Sequence, residues 1–146
     1  MKSKNYIKTE FPSLSMNESL ARSVAGVFAA RLDPTMDELG DVKTAVSEAV
    51  TNAIVHAYPD SIGRILLRCR ILEDDRLEIM IRDWGRGIED VDKARQPLYA
   101  TGGEDRSGMG FTIMESFMDK VKVRSKPGAG TTVVMTRRMP GRNREA

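Results

Sequence analysis

The chain has 146 residues, 40% of them hydrophobic and 30% charged, which suits one domain around one core. A net charge of +2 is too small to argue for nucleic-acid binding, and no apolar run approaches the ~20 residues that span a bilayer. The N-terminus lacks an apolar secretion segment and the single cysteine, Cys69, has no internal disulfide partner, so the expected compartment is the cytoplasm.

In chain order, Ile7, Thr9 and Phe11 alternate with Lys8 and Glu10, which predicts a first strand over Tyr6 to Phe11, ended by Pro12 and Ser13. Ser15-Met16-Asn17-Glu18 has capping-box spacing. A helix is predicted from there to about Ala30, with Leu20, Val24, Val27, Phe28 and Leu32 as its apolar side. Glu18 and Arg22 stand four apart on it, as a surface ion pair or as a partner-binding pair.

Thr35-Met36-Asp37-Glu38 repeats the capping-box pattern and opens a long helix, which should end near Tyr58, before Pro59. Gly40 predicts a kink or a split in it. Val42, Val46, Ala49, Val50 and Ala53 recur at helical spacing and mark the core side. Glu48 and Asn52 stack one turn apart beside that stripe. Asn52 offers a neutral oxygen to a hard cation such as Mg²⁺, and Glu48 can hold a hydroxyl as a general base. Read alone, the same pair is also an ordinary solvated helix edge. His56, the only histidine, reads as structural.

Gly63 to Leu72 and Arg76 to Arg82 predict an antiparallel hairpin around Glu73-Asp74-Asp75. Asp83 follows at the strand end. Short helical promise lies over Glu89 to Arg95, and Thr101 to Gly110 is rich in glycine and charge. A helix is predicted over Phe111 to Phe117, then strands over Lys120 to Ser125 and Thr131 to Arg138, joined by Pro127-Gly128-Ala129-Gly130. The fold class is α+β: two layers, with helices on one face of a mixed, mostly antiparallel sheet. Residues 1–138 form the domain, and residues 139–146, carrying Arg142 and Arg144, are an expected disordered tail.

Three glycine-bearing segments follow the long helix. Asp83-Trp84-Gly85-Arg86-Gly87 puts a carboxylate acceptor beside backbone that can approach a flat ligand. Ser107-Gly108-Met109-Gly110-Phe111 is a glycine loop opening a helix, where N–H groups and the helix dipole favour phosphate. Gly130-Thr131-Thr132 starts a strand, and Thr131 can add a hydroxyl near the base. Each alone is a weak signal. No Gly-x-x-x-x-Gly-Lys-Ser/Thr occurs, which excludes a P-loop.

The order and spacing of Glu48-x-x-x-Asn52, Asp83-x-Gly85-x-Gly87, Gly108-x-Gly110 and Gly130-Thr131 resemble the GHKL ATPase/kinase superfamily and its Bergerat fold. Three further stretches, Ser47 to Ala53, Ala94 to Leu98 and Arg106 to Glu115, are similar to the sporulation anti-sigma F serine kinases within that superfamily. Asn17 to Arg22 and Leu32 to Leu39 are similar to them as well, so the likeness runs from about Asn17 to Thr132. The stress-response anti-sigma B kinases fit more loosely. Trp84 departs from the usual small or acidic residue, and Thr101-Gly102-Gly103-Glu104-Asp105 replaces a longer lid that carries a lysine.

The resemblance implies a protein that binds ATP or ADP with Mg²⁺ and forms a homodimer. It would hold sporulation sigma factor F and phosphorylate a serine of an anti-anti-sigma factor, with no direct role for nucleic acid or membrane. Asn52 would bind Mg²⁺ and phosphates, and Glu48 would take the serine proton. Asp83 would read adenine with Thr131. Gly85, Gly87, Gly108 and Gly110 would admit the nucleotide, and Arg106 would reach the γ-phosphate. Glu18 and Arg22 would contact the partner. Two rival readings are a histidine-kinase ATP-binding domain and a nucleotide-dependent sigma-binding module without turnover.

Overall fold

The structure is a computed structural model that describes residues 2–96 and 110–141. Five strands form one sheet in the order β1-β2-β3-β5-β4. They are β1 (Ser3–Pro12), β2 (Arg64–Leu72), β3 (Arg76–Asp83), β4 (Lys120–Lys126) and β5 (Gly130–Arg138). All the ladders between them are antiparallel. The helices are α1 (Met16–Ala29), α2 (Met36–Asn52), the short α3 (Val91–Ala94) and α4 (Gly110–Phe117). The two-layer α+β expectation holds.

The core lies between one sheet face and α1, α2 and α4. Ile65, Leu67, Cys69, Leu77, Ile79 and Ile81 alternate inward from β2 and β3. They meet Val42, Val46, Ala49 and Val50 of α2 and Phe111 and Met114 of α4. Cys69 is fully buried in β2, directly opposite Ile7 on one side and Ile79 on the other. Burial pushes its thiol up to about 12. Arg137 ties the layers together at one end, donating to Asp41 of α2 (2.8 Å) and to the Phe117 carbonyl that ends α4 (2.9 Å).

Several expectations need correction. The Thr35 capping box forms in full: Glu38 N donates to Thr35 Oγ1 (3.1 Å), and Thr35 N donates to Glu38 Oε1 (2.8 Å). The Ser15 box does not. Ser15 has helical backbone angles (φ −58°, ψ −30°) and its side chain caps nothing. The segment before α1 is held instead by Asn17 Nδ2 donating to the Pro12 carbonyl (3.0 Å). Gly40 does not split the helix: α2 runs unbroken through it, and a Cβ there would meet nothing within 4 Å. α2 closes at Asn52 and passes into a single π-helical stretch, Ala53–Ala57, before Tyr58.

The buried side of α1 matches the predicted one only in part: Phe28 is buried and Val24 and Leu32 pack against the core. Ala21, Ala25, Phe28 and Ala29 are buried, whereas Leu20 is 52% and Val27 65% exposed. Close packing against α2 selects the small residues: a Cβ on Gly26 would stand 3.1 Å from Lys43 Cε. Smaller differences concern bounds. β1 is longer than predicted at both ends, and α3 is one short turn capped by Asp90, whose Oδ1 accepts from Lys93 N (3.0 Å). The glycine-rich lid, Arg106, Gly108 and the tail from residue 142 lie outside the described residues.

Candidate nucleotide site

The C-terminal end of α2, the end of β3 and the start of β5 converge at one edge of the helix layer. Asp83 closes β3 on its inward face and is 6% exposed. Its Oδ1 accepts from Gly85 N (3.0 Å) and Thr131 N (3.1 Å). Oδ2 has no partner among the described residues, which leaves a directed acceptor for a ligand donor. Burial raises the Asp83 pKa, while the two backbone donors oppose that rise.

Thr131 is 8% exposed, and its Oγ1 lies 2.7 Å from Ser125 Oγ. Ser125 Oγ also accepts from Ile88 N (2.7 Å) and lies 3.1 Å from the Gly130 carbonyl. One hydroxyl of β4 thus joins the loop after β3 to the start of β5. Sequence reading missed Ser125. On the opposite side, Tyr58 receives a hydrogen bond from Trp84 N (2.7 Å) and donates to the Arg64 carbonyl (2.7 Å). Tyr58 was missed too, and neither residue has a sequence signature.

The glycines here are required by close approach. Gly130 has φ +106°, and a Cβ on it would sit 2.2 Å from the Asp83 carbonyl oxygen. Gly87 has φ +77° and would put a Cβ 2.2 Å from the Lys126 carbonyl. A Cβ on Gly85 would strike the Ala57 carbonyl at 2.3 Å, which fixes the loop against the end of the π-helical stretch.

Asn52 is the last α-helical residue of α2, and its carboxamide lies against Gly110, the first residue of α4. A Cβ on Gly110 would stand 3.0 Å from Asn52 Nδ2 and 3.2 Å from Oδ1. Glu48 is half-buried one turn earlier. Its pKa is raised, first by burial and then by the charge of Glu18 on α1. The predicted Glu18–Arg22 pair does not form among the described ion pairs; Arg22 is exposed and Glu18 half-buried. Arg95 anchors the segment after α3: its Nε donates to Glu115 Oε2 (3.0 Å) and a terminal nitrogen donates to the Val121 carbonyl (2.9 Å).

Among the described residues no group of three or more His, Cys, Asp or Glu side chains is gathered to hold a metal. One carboxamide oxygen is still a sufficient protein ligand for Mg²⁺, which keeps several waters and is held largely by nucleotide phosphates. Asn52 therefore fits that ion.

A strand-end carboxylate with an open oxygen, glycines without room for a side chain, and a helix-end carboxamide against a second glycine form a nucleotide-binding arrangement. The chain belongs to the histidine kinase-like ATPase domain family, whose family model matches residues 11–137. Within it, the chain is a member of the anti-sigma F factors. It is 54% identical over 145 residues to the anti-sigma F factor of Caldanaerobacter subterraneus subsp. tengcongensis, covering 99% of this chain and 100% of that one. The anti-sigma F factor of Oceanobacillus iheyensis is 51% identical over 138 residues, 93% of this chain and 94% of the relative.

Solved structures agree on the fold. The RsbU and RsbW domains of a Mycobacterium tuberculosis protein superpose with a TM-score of 0.68 at 18% identity, over 93% of this chain and 33% of theirs. The mycobacterial sensor histidine kinase MprB superposes at 0.57 with 15% identity, over 91% of this chain and 100% of its own. The protein is an anti-sigma factor built on a nucleotide-binding, kinase-like ATPase domain.

Proposed function

We propose that this protein uses ATP and Mg²⁺ to phosphorylate a serine of an anti-anti-sigma factor, and that it holds a sporulation sigma factor as a homodimer. The observation that carries the kinase reading is the Asn52 carboxamide against Gly110 with Glu48 half-buried one turn earlier. Asp83 Oδ2 accepts from the adenine amine, and the Thr131 hydroxyl supports that end of the base. Gly85 and Gly87 let the loop after β3 pack against Ala57 and Lys126 and so hold it at the nucleotide, Gly110 lies beside Asn52, and Arg106 and Gly108 contribute from outside the described residues. Asn52 would hold Mg²⁺, which would supply charge neutralisation at the phosphates.

In the transfer step the serine oxygen bonds to the γ-phosphorus, the bond to the β,γ-bridging oxygen breaks, and ADP leaves. Glu48 takes the serine proton. Burial supports that role, because a raised pKa makes a carboxylate a better proton acceptor. Partner binding is assigned to α1, where Arg22 is exposed one helical turn from the half-buried Glu18. The homodimer is supported by the edge strand β1, where Tyr6 and Ile7 are exposed.

Glu48→Gln tests the reading. The variant keeps size and hydrogen bonding but removes the base. Its single-turnover phosphate transfer should fall ~10²–10⁴-fold, with ATP and sigma binding retained. Transfer at the parent rate would remove Glu48 from the role. No transfer by the parent to its cognate partner would leave a nucleotide-dependent sigma-binding module.

A further inference from the structure

The sheet face turned away from α1, α2 and α4 carries a second organised surface. Outward positions form rows across the strands. One row runs Lys8, Arg68, Met80, Val134, Lys122, and the next runs Glu10, Leu66, Arg82, Thr132, Arg124. Leu66, Met80 and Val134 make a half-buried aliphatic centre with cations on both flanks.

The charge is one-sided. Neither β4 nor β5 contains a carboxylate. β4 turns Lys120, Lys122, Arg124 and Lys126 outward, all exposed, at intervals of about 6.7 Å. None of these four forms an ion pair among the described residues. The carboxylates on the face are already engaged: Glu10 by Arg64, and Glu78 by both Arg68 and Arg70.

We propose that this open face is a docking surface for the sigma factor, which presents to it an apolar patch rimmed by carboxylates. The proposal rests on the sigma-binding reading above and adds a contact separate from α1. An apolar centre with a charged rim is the anatomy of a protein interface. A second copy stacked on the face would oppose cation to cation. A nucleic acid would find the Trp84 ring already covered, by the Arg64 guanidinium at 3.6 Å and that of Arg82 at 4.7 Å, and the exposed ring on this face, Tyr6, stands on the edge strand β1, away from the cations of β4. The phosphate acceptor has to bring its serine to Glu48, which lies in the helix layer on the other side of the sheet. The open face is therefore left to the partner that is held and not phosphorylated.

The test is a titration of purified cognate sigma factor against the full chain, with salt varied. Lys122→Glu combined with Arg124→Glu should weaken sigma binding about tenfold or more and flatten its salt dependence. Lys122→Gln with Arg124→Gln should give a smaller loss in the same direction, with nucleotide affinity and melting temperature unchanged in both. Unaltered sigma affinity in the folded charge-reversed variant overturns the proposal. So does parent binding of a single-stranded DNA of about 20 nucleotides that is lost in that variant while sigma binding persists. A parent that binds no sigma factor overturns the underlying reading, and the proposal with it.

Discussion

Glu48 is half-buried on α2, and the Glu18 carboxylate acts on it across the packed α1–α2 interface. Burial first, and that charge second, hold its pKa above the ordinary carboxylate range. In the proposed reaction Glu48 accepts the serine proton and has to be ionised to do so, so phosphate transfer should rise with pH through this raised pKa. Glu18→Gln removes the second cause and should move the rising limb to lower pH, with burial still holding it above an unperturbed carboxylate. Single-turnover rates across the acidic range decide this, and coincident limbs for the two proteins would show that Glu18 does not tune the base. The same shifts bear on folding. Where Glu48 and Asp83 have raised folded-state pKa values, the folded chain binds protons more tightly than the unfolded chain. Their contribution is greatest below the unfolded pKa and is lost as pH rises through the folded one. Asp83, Thr131, Asn52 and Gly110 were legible as candidates because each sits beside a glycine or at a helical interval. Ser125 and Tyr58 were not, since their partners lie far along the chain and nothing local marks them.

At the scale of elements, the two capping-box patterns show what sequence spacing can and cannot say. Both read Ser or Thr followed three residues later by Glu, yet only Thr35 has the extended backbone (φ −71°, ψ 165°) that turns its side chain toward the helix N–H groups. Thr35→Ala should cost about 1 kcal/mol, read as a lower denaturant midpoint at unchanged slope. Ser15→Ala should move the midpoint little, and equal losses from the two would contradict the difference in geometry. The face of α1 was legible only in part, in Val24, Phe28 and Leu32. Large apolar residues were taken to mark the buried side, whereas the tight approach to α2 admits alanine and glycine and leaves Leu20 and Val27 outside. Long, strongly alternating strands such as β2 and β3 were legible to within a residue or two, because burial on one face imposes a period of two.

For the molecule as a whole, the site is a joint between layers: α2 and α4 supply Asn52 and Gly110, while β3 and β5 supply Asp83 and Thr131. A ligand that bridges them binds the folded chain alone. ATP with Mg²⁺ at a hundred times its Kd should therefore raise the unfolding free energy by about 2.7 kcal/mol. Asp83→Asn should abolish most of that gain. Its oxygen has to face the two backbone donors, which turns its NH₂ toward the adenine amine, donor against donor. Equal thermal shifts for parent and variant would take Asp83 out of the adenine site. The sealed thiol of Cys69 has a practical corollary. Placed between Ile7 and Ile79 and held protonated by burial, it is closed to alkylating reagents until the central strands separate. The chain thus carries a built-in clock for the opening of its sheet, and the pace of Cys69 modification in the native protein counts those openings without any label being engineered in.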